Sequence, residues 1–354
     1  MTILITGSLG LIGYEASLFY LRKGYKVIGI DNDLRGKMFG IKTKYQKKLS
    51  FLMDNFPKTY IHYPDDIRNN KIIKEIFKTY GKEIKGIIHT AAQTSHDYSA
   101  KDPSLDFSIN ADATLNLLEV YRSYTPQAVF IFTSTNKVYG DKVNSLPFKD
   151  YGTRFDLKKD DRYFNGIDED FFLDQSTHSI FGVSKLSADS LVQEYGRYFN
   201  LQTGIFRLGV VAGGGQSGAL EQGFLSFMIG KLINNETFLV IGYKGKQVRD
   251  IIHAKDVVLA MDLFFKKPIK GGVFNLGGGR ENSASLIEVI DKLQSLAKRK
   301  LKVTYQNKIR VGDHKWWITD FSKFKTYFPS WKISHTLNQI ILEIYKSYND
   351  NPKV

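Results

Sequence analysis

The chain has 354 residues, 42% hydrophobic and 24% charged, an ordinary globular composition that can bury a sizeable core. No apolar run reaches the ~20 residues that cross a bilayer, and the absence of cysteine excludes disulfides and thiolate metal sites. Fifty Lys and Arg against 36 Asp and Glu give a net charge of +14. The lysines are scattered (Lys44, Lys47, Lys48; Lys71, Lys74, Lys78; Lys298, Lys300, Lys302), so solvated surface charge outweighs a nucleic-acid face. A mildly positive field would still help to collect a dianionic small molecule.

The sequence enters a strand at once, over residues 2–6, with no basic leader or cleavage site, and a cytoplasmic protein is expected. Apolar, β-branched runs follow at 26–30, 59–63, 86–90, 128–134 and 203–207, with a later one at 272–276. Helical patterns lie between them at 11–23, 72–80, 109–124, 178–198 and 255–265. Continuous apolar strands joined by helices predict an α/β fold with a doubly wound parallel sheet covered on both faces. Residues 1–214 and 250–279 are assigned to this sheet. Residues 215–249 and 280–354 mix loops, aromatics and short helices, and are assigned to a smaller, discontinuous C-terminal substrate domain.

The first strand runs into Gly7-Ser8-Leu9-Gly10-Leu11-Ile12-Gly13, and a helical pattern begins. Glycines at this spacing permit a tight turn, a close approach of backbone to a pyrophosphate, and close helix–strand packing. The helix start then offers unpaired N–H groups to the phosphates. The second strand ends in Asp31-Asn32, eighteen residues beyond Gly13. A carboxylate there can accept both adenosine ribose hydroxyls and would repel a 2′-phosphate, which argues for NAD over NADP. Arg35 lies near enough in sequence to serve a phosphate instead. Asp66-Ile67 after the third strand and Ala91-Ala92-Gln93 after the fourth fit the adenine and the cofactor backbone.

The fifth strand ends Thr133-Ser134-Thr135-Asn136-Lys137-Val138-Tyr139-Gly140, and Phe181-Gly182-Val183-Ser184-Lys185 opens a later helix. With the glycine turn, these motifs resemble the extended short-chain dehydrogenases, the NAD-dependent epimerase/dehydratase family. Ala91 to Asp97, Ser134 to Gly140, Asn165 to Glu169, Arg207 to Gln216, Glu221-Gln222-Gly223 and Gly245 to Asp250 resemble its CDP-paratose (CDP-tyvelose) 2-epimerases. The resemblance implies transient oxidation of a CDP-hexose at C2 with bound NAD, rotation of the keto sugar and reduction on the opposite face. It also implies a place in lipopolysaccharide O-antigen synthesis, and a homodimer or homotetramer built on the helices at 109–124 and 178–198.

In the family a tyrosine stands where this chain has Phe181, and takes the sugar hydroxyl proton. Lys185, one turn later, would hold the nicotinamide ribose and Thr135 the reacting hydroxyl; Asn110 and Thr133 belong to the cofactor site. General-base catalysis is worth ~10²–10⁴-fold, so Phe181 should slow the chain severely. Three explanations stand: a substitution that traps a complex, a variant using another base (Tyr98, His178 or Lys137), or a protein that only binds its ligand. Asn136 replaces the acid that a dehydratase needs. A 4-epimerase uses the same residues as a 2-epimerase.

Arg249 is the first candidate for a substrate diphosphate, its alternative being a salt bridge with Asp250 or Asp256; Arg310 is the second. His96, Asn136, Lys137, Arg154, Gln216, Gln222 and Gln247 are further candidates for the sugar and nucleotide. The histidines show no zinc spacing, so no metal is expected.

Overall fold

The computed structural model describes residues 1–41, 43–216 and 223–349. Seven strands, β1 (Thr2–Thr6), β2 (Lys26–Ile30), β3 (Tyr60–Tyr63), β4 (Ile84–His89), β5 (Val129–Thr135), β6 (Gln202–Leu208) and β7 (Gly272–Leu276), make one sheet. Their order is β7-β6-β5-β4-β1-β2-β3, and every adjacent pair is parallel. This is the doubly wound Rossmann sheet that the continuous apolar runs predict. Alternate side chains of one strand enter different cores: Ile3, Ile5, Val27, Ile131 and Phe206 pack on one face, and Leu4, Ile28, Phe130, Phe132 and Ile205 on the other. A strand buried on both faces has no polar side to show, which is why these segments read as unbroken hydrophobic runs.

The strand order reverses between β1 and β4, and there the loops at the strands' C-terminal ends part to leave a crevice. Two helices unmarked in the sequence reading, Leu34–Phe39 and Tyr45–Asn55, lie between β2 and β3 and border it. The helix expected over 109–124 is divided. A single π turn, Ser108–Asp112, precedes the α-helix Ala113–Tyr124. Asn110 within that turn bonds Gln93 through both backbone groups, N to Oδ1 at 2.9 Å and Nδ2 to O at 2.9 Å. A wide turn that aims a side chain at a neighbouring loop is the usual use of a π-bulge.

A separate core, including Leu225, Met228, Val240, Leu293 and Ile341, is enclosed by the helices Phe224–Ile233, Leu286–Ala297 and Leu337–Asn349. The strand Val248–His253 joins it to the main body, pairing with Val210–Ala212, Ser283–Ser285 and Trp316–Trp317. That strand carries Arg249 to the open side of the crevice.

Candidate active site

A cavity of about 610 Å³ runs along the crevice. At one end the glycine turn is packed so closely that side chains would not fit. Gly7 has φ +65°, and a Cβ on it would lie 2.8 Å from the Ala91 nitrogen. A Cβ on Gly13 would lie 2.0 Å from the Gly7 oxygen. Gly13 does not line the cavity; it lets the helix Leu11–Arg22 seat against the turn. That helix has no side-chain cap at Gly10, so its first N–H groups face the cavity beside Leu11 and Ile12. Asp31 closes the turn, its Oδ2 accepting from Leu9 N at 2.9 Å and its Oδ1 from Asp33 N at 3.0 Å. Burial raises its carboxyl pKa and those two bonds oppose the rise.

Asn32, Arg35, Asp66, Ile67, Ala91, Ala92 and Gln93 line the same end. Asp66 is held below the usual carboxylate range by Arg68, whose Nε lies at 2.9 Å, and also accepts from Asn32 at 3.2 Å. Asn110 does not reach the cavity. It bonds Ser184 at 3.0 Å as well as Gln93, and so ties the loop after β4 to the helix Ser179–Arg197. A crevice too narrow for a Cβ, an uncapped helix start and a buried carboxylate at the end of β2 are a fit for NAD.

Sequence reading placed Lys48 among the solvated lysines, and the structure corrects this. Lys48 is buried in the cavity wall, its Nζ donating to Leu9 O at 2.8 Å and Gly10 O at 3.2 Å. Burial lowers its amine to about 8, against the pull of Asp31. The signal was present: Tyr45, Lys48, Leu49 and Leu52 fall on one helical face, and the other three are apolar.

The middle of the cavity holds Thr133, Thr135, Asn136, Phe181 and Lys185. Thr135 ends β5 and accepts from Lys137 N at 3.3 Å. Lys185, one turn beyond Phe181, donates from Nζ to Thr133 O at 2.8 Å, and burial lowers its amine to about 7. This geometry rests on a buried network beneath it. Asp189, on the Lys185 helix, accepts Ser134 Oγ at 2.6 Å and both Nε and a terminal nitrogen of Arg207, each at 3.0 Å. Arg207 donates to Tyr139 Oη at 3.0 Å, which donates to Asn275 at 2.8 Å. Strands β5, β6 and β7 and the helix Ser179–Arg197 are thus fixed to one another beside the cavity lined by Thr135, Phe181 and Lys185.

The far end is cationic. Arg249 and Lys137 reach Asp313 Oδ1 at 2.6 and 3.3 Å, and Arg310 reaches Asp97 at 3.5 Å. Asp250 and Asp256 are therefore not the partners of Arg249: Asp250 accepts from Gly279 N and Thr319 N, and Asp256 faces His335. Burial lowers the Lys137 amine to about 8, with Asp313 opposing and Arg249 and Arg310 adding to the effect. His96 stands between this cluster and Phe181. Gln216 and Gln247 line the cavity, and Gln247 Oε1 is a buried acceptor without a donor among the described residues.

Arg154 is elsewhere, paired with Asp156 at 3.2 Å and Glu288 at 3.4 Å, so it does not serve the cavity. Gln222 lies outside the described residues. Tyr98 and His178 do not line the cavity. Among the described residues His253, His335 and Glu343 gather closely enough to hold a cation. They stand apart from the cavity, and the two rings are stacked at 4.0 Å, 16° from parallel. An ion lies in the plane of each imidazole it binds, so a stacked pair is a poor ligand set. No helix among the described residues is long and apolar enough to cross a membrane.

Residues 3–277 match the model of the NAD dependent epimerase/dehydratase family. The chain is 33% identical over 333 residues to CDP-paratose 2-epimerase of Salmonella typhi, covering 91% of this chain and 92% of that one. UDP-glucuronate 4-epimerase of Thermodesulfobacterium geofontis is 29% identical over 322 residues, covering 91% and 88%. The structure of UDP-glucuronic acid 4-epimerase from Bacillus cereus superposes with a TM-score of 0.79 over 99% of both chains, at 23% identity.

Proposed function

The chain belongs to the NAD-dependent epimerase/dehydratase family, and from that premise we propose that it is a nucleotide-sugar epimerase acting at C2 of a CDP-hexose of the paratose/tyvelose type. The observation that carries the reading is a cofactor-shaped crevice continuous, through Thr135 and Lys185, with an end lined by Lys137, Arg249 and Arg310. NAD, when bound, supplies reversible two-electron oxidation of the carbinol. Asp31 would receive the adenosine ribose and Lys185 the nicotinamide ribose. Thr135 would hold the reacting hydroxyl, and Arg249 would bind the diphosphate by its guanidinium fork.

Support for C2 over C4 is the greater likeness to the CDP-paratose enzyme, 33% against 29% at similar coverage. Asn136, buried at the cavity wall, speaks against dehydration because an amide is no acid or base near neutral pH. Phe181 supports a second reading, a protein that binds NAD and a nucleotide sugar without turning it over. The test is incubation with CDP-paratose in D₂O, followed by proton NMR. CDP-tyvelose that keeps its C2 hydrogen is expected. Turnover of UDP-glucose or UDP-glucuronate in its place would move the reading to a 4-epimerase. We further propose that a dimer forms through the helices Ala113–Tyr124 and Ser179–Arg197, which expose Leu115 and Val183; light scattering at the monomer mass would overturn it.

A further inference from the structure

Phe181 is buried against the His96 imidazole, with ring centroids 5.1 Å apart and planes tilted by 58°. The two residues come from different elements, His96 opening the short helix His96–Lys101 after β4 and Phe181 lying in the first turn of Ser179–Arg197. Side-chain bonds fasten these helix starts together on both sides of the ring pair. His96 Nδ1 lies 3.0 Å from Ser179 Oγ, which also accepts from Gly182 N at 3.3 Å, and Phe181 N donates to Ser99 Oγ at 3.2 Å. The imidazole is therefore fixed in place. With Nδ1 committed to Ser179, Nε2 is the ring nitrogen left for the cavity that both residues line.

We propose that His96 is the proton acceptor for the reacting sugar hydroxyl in this chain, oriented by Ser179, and that the substrate's own diphosphate strengthens it as a base. The proposal rests on the epimerase reading above. The hydroxyl O–H bond breaks and its proton passes to Nε2. The carbon's hydrogen would leave with its electron pair for the NAD that Asp31 and Lys185 would hold, and the carbonyl would form. On reduction His96 returns the proton to the oxygen, so no net redox change occurs.

The charges around His96 explain the gating. Burial first, and then Lys137, Arg310 and Arg249, lower its imidazole to about 3, with Asp313 opposing them. Asp97, the next residue along, is paired with Arg310. The free site thus holds a neutral but weak base. The same three cations are the groups a nucleoside diphosphate would meet, and two phosphate charges among them remove the second cause of the depression while burial remains. Basicity then rises only when substrate is in place. Lys137 is less suited to the role, because its amine donates to Gly312 O at 3.1 Å and would stay charged beside a diphosphate.

The test has a spectroscopic arm and a kinetic arm. In histidine-labelled protein, His96 is assigned by its loss in His96→Gln and titrated with and without saturating CDP. A neutral ring protonated on Nδ1 is expected at pH 7, with a midpoint raised by at least one pH unit in the CDP complex. An unmoved midpoint, or a proton on Nε2, overturns the proposal. In the kinetic arm His96→Gln should lose at least ~10²-fold in epimerisation. In a Phe181→Tyr background, where a phenol takes over, it should lose less than ~10-fold. NAD and CDP affinities should change less than threefold in both, which separates the loss from misfolding. Unchanged turnover in His96→Gln overturns the proposal. If Phe181→Tyr turns over sugar and the unaltered chain does not, the base assignment fails while the epimerase reading stands; if neither does, the epimerase reading itself fails.

Discussion

Phe181 carries no hydroxyl where the family resemblance implies a tyrosine, and it lines the cavity with Thr135 at the end of β5, Lys185 one turn beyond, and Lys137, Arg249 and Arg310 at the cationic end. Phe181→Tyr should therefore add a stronger base than the depressed His96 imidazole and raise the rate of C2 epimerisation by about 10-fold or more, measured with CDP-paratose at saturating NAD. Its effect on binding should be small, since one phenol adds a single hydrogen bond of ~0.5–1.5 kcal/mol. Arg249→Ala should weaken nucleotide-sugar binding by ~1.5–3 kcal/mol in calorimetry and leave NAD affinity intact. Part of that loss comes from Asp313, which Arg249 neutralises at 2.6 Å together with Lys137 at 3.3 Å and which, left with Lys137 alone, would repel the diphosphate more strongly. At this scale the glycines, Asp31, Thr135 and Lys185 were legible because short motifs tie each to a fixed turn. Asp313 and Lys48 were not, because their meaning depends on what a distant segment brings beside them.

The elements of the sheet were legible for a different reason: a strand buried on both faces has no alternative periodicity to be confused with. The helix pair between β2 and β3 was missed. Leu34–Phe39 is short, and Tyr45–Asn55 carries its lysine on the buried face, so the apolar stripe is interrupted. The π turn at Asn110 could not be foreseen either, since it exists to serve a contact with Gln93 in another loop. Beneath the site, the Asp189–Arg207 pair does what no local pattern announces, joining the Lys185 helix to β6. Both side chains are almost wholly excluded from solvent, at 0% and 3% exposure. Removing one partner of a buried pair leaves the other uncompensated. Asp189→Asn should accordingly cost about 3–5 kcal/mol in urea unfolding, well above a typical surface substitution. A loss under ~1 kcal/mol would mean that the site is held by packing alone.

Across the whole molecule the +14 charge is unevenly used. Most of it is solvated, but Lys48, Lys137 and Lys185 are turned into one cavity, and burial lowers their amines to about 8, 8 and 7. In the unfolded chain each would titrate near 10.4. Between pH 7 and 10 the unfolded state therefore binds more protons at these groups than the folded state does, and their linkage makes the ligand-free protein more stable as pH rises. Anionic ligands reverse the sign. A pyrophosphate beside Lys48 and a diphosphate beside Lys137 favour the charged amines, so ligand stabilisation should be greatest near pH 7 and decline as the pH passes through 8. Thermal unfolding at pH 7, 8 and 9.5, alone and with NAD plus CDP, measures both trends. The free protein should gain stability toward pH 9.5 while the increment from the ligands shrinks. Lys48→Met should flatten the pH dependence of the NAD increment and leave that of CDP in place, because the two lysines sit at opposite ends of the cavity. An NAD increment independent of pH in the unaltered protein would remove Lys48 from the pyrophosphate and leave it as a brace for the glycine turn.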